Sequence, residues 1–90
     1  MNRFVVVVGA DANNGRERYN EYIMTSLRTM WGVDAAEIQA YGADFFRHFE
    51  TIVSPYIQAG NVAEMAGKYR LTLAGKLLAD RIAADLFLPN

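Results

Sequence analysis

Apolar residues recur at three- and four-residue steps through Tyr19, Tyr22, Ile23, Leu27, Met30 and Trp31. That spacing predicts a helix over residues 16–31 with one apolar face, stopped by Gly32. The pattern ahead of it differs. Phe4-Val5-Val6-Val7-Val8 is a β-branched run that predicts a strand or arm, and residues 9–15 read as a turn in which Asn13 or Asn14 caps the helix. Asp34 is placed to cap a short helix over 35–41, which Gly42 ends. Asp44 is expected to cap a third helix, whose stripe is Phe45, Phe46, Phe49, Ile52, Val53, Tyr56 and Ile57. Pro55 lies inside that stripe and predicts a kink or break near Ser54, and Gly60 ends the element.

Residues 61–72 change period from about 3.6 to 2. Val62, Glu64 and Ala66 alternate before Gly67, and Tyr69 and Leu71 alternate with Lys68 and Arg70 after it, which predicts a hairpin. Thr72 then caps a last helix over 73–87, with Leu73, Leu77, Leu78, Ile82, Leu86 and Phe87 as its buried face and Pro89 beyond its end. Two helices joined across a glycine turn and followed by a hairpin describe a winged helix-turn-helix. The expected fold is α+β, mostly helical: a winged-helix-like domain over 16–90, preceded by an arm over 1–15 that is a linker or an expression-derived lead-in.

With 90 residues and 52% apolar content, the chain suits one domain with one core. A net charge of −1 supplies no global basic field toward nucleic acid or anionic lipid. The sequence has no cysteine, which excludes disulfides, thiolate zinc sites and a cysteine-held iron–sulfur cluster within it. The apolar run at 4–8 is too short to span a bilayer, so no membrane partner is expected and the location expected is the cytoplasm. A strand followed by a glycine turn and a helix invites a nucleotide-binding reading. However, Asn13-Asn14-Gly15-Arg16 stands where a P-loop needs Gly-Lys-Ser/Thr, and G-x-G-x-x-G is absent.

DNA is not the expected partner either. A helix-turn-helix reads bases from the start of its second helix. Here that start is Ala43, Asp44 and two phenylalanines, followed by Arg47 and His48. The wing offers Lys68, Arg70 and Lys76, opposed by Glu64, Asp80 and Asp85.

Three stretches then carry a resemblance: "ERYNEYIMTSLRTMWGVD" (17–34), "YGADFF" (41–46) and "YRLTLAGKLLADRIAADLF" (69–87). They resemble the C-terminal domain of the oxygen-independent coproporphyrinogen III oxidase family of radical SAM proteins, which includes related heme chaperones. The family's opening helix pattern is matched by Glu21, Leu27-Arg28 and Gly32-Val33, and its closing pattern by Leu71-Thr72, Gly75 and Asp80. The resemblance implies a parent protein whose N-terminal barrel holds a [4Fe–4S] cluster and cleaves S-adenosylmethionine. This chain would be a cover on that barrel, without catalytic residues or metal ligands of its own. Its implied partners are the barrel and a tetrapyrrole, and the isolated domain is expected to self-associate through the face the barrel would cover.

The resemblance makes Arg28, Tyr22 and Glu21 the candidate contacts to substrate or barrel. The Arg28 guanidinium suits a tetrapyrrole propionate or a barrel carboxylate, and its plain alternative is to fix a domain contact or helix end. His48 is a candidate axial heme ligand whose plain reading is a hydrogen-bonded helix histidine. Tyr19, Tyr22 and Trp31 are candidates to stack on a porphyrin, but their helical spacing reads as core or interface. Met24, Met30 and Met65 need only packing. Nothing in the sequence brings Glu21 to Asp80 as an acid–base pair, and Ser26 and His48 lack a third triad member. The alternative readings are a stand-alone winged-helix DNA- or protein-binding module and a small heme-binding carrier.

Overall fold

A computed structural model describes residues 11–89. The order is helix α1 (Asp11–Ser26), strand β1 (Val33–Asp34), helices α2 (Ala35–Tyr41) and α3 (Ala43–Gln58), strands β2 (Val62–Met65) and β3 (Lys68–Leu71), and helices α4 (Leu73–Lys76) and α5 (Ala79–Leu86). The fold is α+β and mostly helical, with one antiparallel three-stranded sheet in the order β1-β3-β2. The hairpin forms as expected. Val62 opposes Leu71 and Met65 opposes Lys68, and the two-residue turn Ala66-Gly67 has φ of 54° and 81°. Positive φ at both turn positions matches the right-handed twist of the strands it joins.

Every element contributes to one core except α4. Tyr19, Ile23 and Leu27 meet Val33, Ile38, Phe49, Val53, Val62, Tyr69, Ile82 and Leu86 there. Each such side chain, withdrawn from water, contributes about 1.5–3 kcal/mol before entropy is counted. Phe49 and Tyr69 pack edge to face at 4.9 Å, which fixes α3 against the central strand.

Several expected boundaries are corrected. Among the described residues the first helix covers Asp11–Ser26, so residues 11–15 are helical and Asn13 and Asn14 lie inside the helix instead of capping it. The strand expected at 4–8 lies outside the described residues. The helix also ends at Ser26, and Thr29 turns back onto Ser26 through its backbone N–H and its hydroxyl. Met30 and Trp31 therefore leave the helical face and stand 70% and 72% exposed. Asp34 caps α2 as expected, accepting from the Ala36 N–H at 2.9 Å. Asp44 does not cap α3. Gly42 holds that position, and Asp44 pairs with Arg47 at 2.7 Å in the first turn.

Pro55 does not break α3, which continues to Gln58. The proline has no N–H to give the Thr51 carbonyl, and the helix carries that one missing bond within its last turn. The last predicted helix is two helices, interrupted at Leu77 and Leu78. Thr72 does cap the first of them, accepting from the Gly75 N–H at 3.1 Å. The interruption rotates the helical face, leaving Leu73 and Leu77 84% and 88% exposed while Ile82 and Leu86 are buried.

Candidate functional site

The residues singled out from the sequence fall at two separate places. Glu21 and Tyr22 border a depression between α1 and α2 that Arg18, Thr25, Glu37 and Tyr41 complete. Tyr22 is fixed there by the fold. Its hydroxyl accepts from the Asp34 N–H at 2.8 Å, and its ring meets Tyr41 edge to face at 6.0 Å. Tyr41 in turn donates to Glu37 at 3.0 Å. Burial first, and the Glu37 carboxylate second, push the Tyr41 hydroxyl up to about 12. Tyr22 thus holds the junction between β1 and α2.

Arg28 lies beyond the end of α1 and borders a different cleft, with Thr29, Met30, Ala63, Arg70, Leu71, Thr72 and Lys76. It pairs with Asp80, which is 91% exposed. An exposed pair of this kind contributes about 0–1 kcal/mol, so Arg28 can exchange Asp80 for another carboxylate at little cost. Arg70 reaches across the same cleft to donate to the Met30 carbonyl at 3.1 Å. Asp80 is therefore the partner of Arg28, and it does not join Glu21.

His48 and Tyr19 converge on one atom. The Tyr19 hydroxyl donates to the Leu86 carbonyl at 2.8 Å, and His48 Nε2 lies 3.0 Å from the same oxygen. A carbonyl only accepts, so Nε2 carries the hydrogen. Both bonds satisfy a carbonyl in the last turn of α5 and tie three helices together. Burial pushes the Tyr19 hydroxyl well above its ordinary range. Asn20 adds a second tie, donating to the Leu88 carbonyl at 3.0 Å and accepting from the Leu88 N–H at 2.8 Å. Among the described residues, no group of three or more His, Asp or Glu side chains is arranged to hold a metal ion.

The Leu71-Thr72-x-x-Gly75 stretch has a clear structural reason. Thr72 accepts a bond at the start of α4 while its own N–H and hydroxyl donate to the Asn61 and Gly60 carbonyls, at 3.0 and 2.7 Å. The backbone of α4 is thereby drawn onto residue 61. A Cβ on Gly75 would overlap the Asn61 carbonyl, so only glycine fits.

This is the closing pattern of a known domain. A family model described as the HemN C-terminal domain matches residues 14–78. The chain belongs to the HemN C-terminal domain family. Searches of curated proteins and of solved structures returned no match. The match runs from inside α1 to the junction between α4 and α5. It takes in Glu21, Tyr22, Arg28 and the Thr72–Gly75 tie, and stops short of Asp80. In this HemN C-terminal domain α5 nonetheless closes the core, through Ile82 and Leu86.

Sequence reasoning missed the groups now exposed around the hairpin. The sequence assigns Met30 and Met65 to packing and Trp31 to core or interface, whereas all three border one depression with Ala63, Glu64, Lys68 and Arg70. The helix already ends at Ser26, and Gly32, with a φ of 71° and a close approach to the Tyr69 carbonyl, then turns the chain into β1.

Proposed function

We propose that this chain is the accessory C-terminal domain of an oxygen-independent coproporphyrinogen III oxidase-like radical SAM protein, and that it acts in porphyrin metabolism as a cover on the catalytic barrel. The observation that carries this reading is the family match over residues 14–78. The chemistry resides elsewhere in the parent. A [4Fe–4S] cluster of the radical SAM kind needs cysteine thiolates, and this sequence has none, so its residues do not fit the cluster. No helix among the described residues is long and apolar enough to cross a membrane, which suits the cytoplasmic location we propose for the parent.

In this reading Arg28, Tyr22 and Glu21 are the contacts to barrel or substrate. The weak Arg28–Asp80 pair is compatible with Arg28 engaging a carboxylate of the barrel or of a tetrapyrrole. The test removes the domain from the intact parent protein. The truncated parent should still cleave S-adenosylmethionine when reduced, but should lose conversion of coproporphyrinogen III. Unchanged conversion by the truncated parent would overturn the proposal.

A further inference from the structure

The chain carries a net charge of −1, yet its cations are not evenly spread. Arg28, Arg70 and Lys76 border one cleft in which no carboxylate takes part in the lining. The cleft continues toward α5 through Arg28, Leu71, Lys76 and Ala79. At its other end it shares Met30, Ala63 and Arg70 with the depression holding Trp31 and Met65. The result is a groove along the outer face of the hairpin, basic in the middle and apolar at one end. Trp31, Met30 and Met65 are 72, 70 and 75% exposed there.

Tryptophan, methionine and arginine are the residues enriched where protein surfaces meet, and an exposed cluster of them signals an interaction site. The charge selects the partner's chemistry. Three cations call for carboxylates or phosphates. The three large apolar side chains beside them favour a polypeptide that carries both acidic and apolar residues. Asp34, Glu64 and Asp80 stand around the groove, paired respectively with Lys68 at 3.7 Å, with the Gly67 N–H at 3.0 Å, and with Arg28. With Glu64 at the apolar end and Asp80 on Arg28, unbroken negative charge along the whole groove is disfavoured, and a partner whose carboxylates are interspersed with apolar side chains fits. We propose that the groove docks an acidic, apolar-flanked polypeptide segment, with carboxylates on Arg28, Arg70 and Lys76 and an apolar side chain against Trp31 and Met65. The proposal concerns this surface and stands whether or not the accessory-domain reading does.

Trp31 is the sole tryptophan, so its emission reports on the groove directly. The probe is a blocked peptide of alternating glutamate and leucine, titrated into the 90-residue chain at low salt. Binding should shift Trp31 emission to the blue, weaken as salt rises, and weaken about two- to fivefold in each of Lys76→Gln and Arg28→Gln, the size expected of one exposed charge contact. Thermal melts of both variants, expected within a few degrees of the parent chain, separate lost binding from lost folding. The same peptide with glutamine for glutamate should leave the emission unchanged. Four results would overturn the proposal: no emission change at millimolar peptide, equal binding of the glutamine peptide, equal competition by inorganic pyrophosphate or duplex DNA, or a blue shift on concentrating the chain alone, which would assign the groove to a second copy.

Discussion

Replacing Gly75 by alanine should destabilise the domain well beyond an ordinary helix substitution. In an unconstrained helix the change would be favourable by up to about 1 kcal/mol. Here the new methyl would overlap the backbone carbonyl of Asn61. Inserting a methyl into a filled site costs about 1–3 kcal/mol, and the upper end applies because backbone gives way less readily than a side-chain tip. If α4 moves off to make room, the Thr72 bonds to the Asn61 and Gly60 carbonyls are strained or lost. Each contributes about 1 kcal/mol. The expected net loss is about 2–4 kcal/mol. For a domain of this size that lowers Tm by about 10–30 °C, read by circular dichroism in a reversible melt. Gly60→Ala is the control. Residue 60 has a φ of 83° but open space around it, so it should cost only the left-handed penalty, about 1–2 kcal/mol. A Gly75→Ala chain as stable as the parent, or more stable, would refute the close-approach argument and with it the physical account of the Leu-Thr-x-x-Gly pattern.

Leu77→Ser should change stability by no more than about 0.5 kcal/mol in a denaturant melt, whereas Leu86→Ala should cost about 2–5 kcal/mol, because one side chain is 88% exposed and the other fully buried. Tyr19→Phe should cost about 1 kcal/mol and His48→Ala a similar amount, and the double mutant should cost more than either, since both donate to the Leu86 carbonyl. Tyr41, Tyr56 and Tyr69 all have raised pKa values, Tyr41 and Tyr69 chiefly from burial and Tyr56 chiefly from its bond to Asp85. A raised folded-state value means the folded chain holds its protons longer than the unfolded chain. Stability from these groups is thus complete below the ordinary tyrosine value of 10.0 and falls as pH climbs through the raised folded-state values, which for Tyr41 means about 12. Phenolate absorbance should lag in the folded chain relative to the chain in denaturant, and coincident titrations would contradict these environments.

Local chemistry written within a few residues was legible in the sequence. Asp34 and Thr72 announced their caps, and Gly67 announced the hairpin turn. The short helix 35–41 appeared with its expected bounds, because cap, pattern and stop agreed there. Periodicity failed where tertiary geometry overrode it. The apolar wheel of the first helix extends through Met30 and Trp31 on paper, but the backbone leaves the helix at Ser26 to bring Val33 and Asp34 beside β3. That two-residue strand exists only through its pairing with Tyr69 and Lys68, so no local signal could announce it. Likewise, Leu73 and Leu77 fit a single long helix until the Gly75 contact and the interruption at Leu77 and Leu78 turn them to solvent. Of the candidate contacts, Tyr22 proved partly committed to the fold. The place of Arg28 beside Arg70 and Lys76 depends on the hairpin folding back over residues 28–30.

The central claim is that this domain serves a larger radical SAM protein. The most direct measurement is the size of the natural gene product, by immunoblot of host extract with antibody raised against this chain. The account predicts a band much larger than 10.1 kDa. A sole band near 10.1 kDa would contradict it and would leave the groove on the hairpin as the function to pursue.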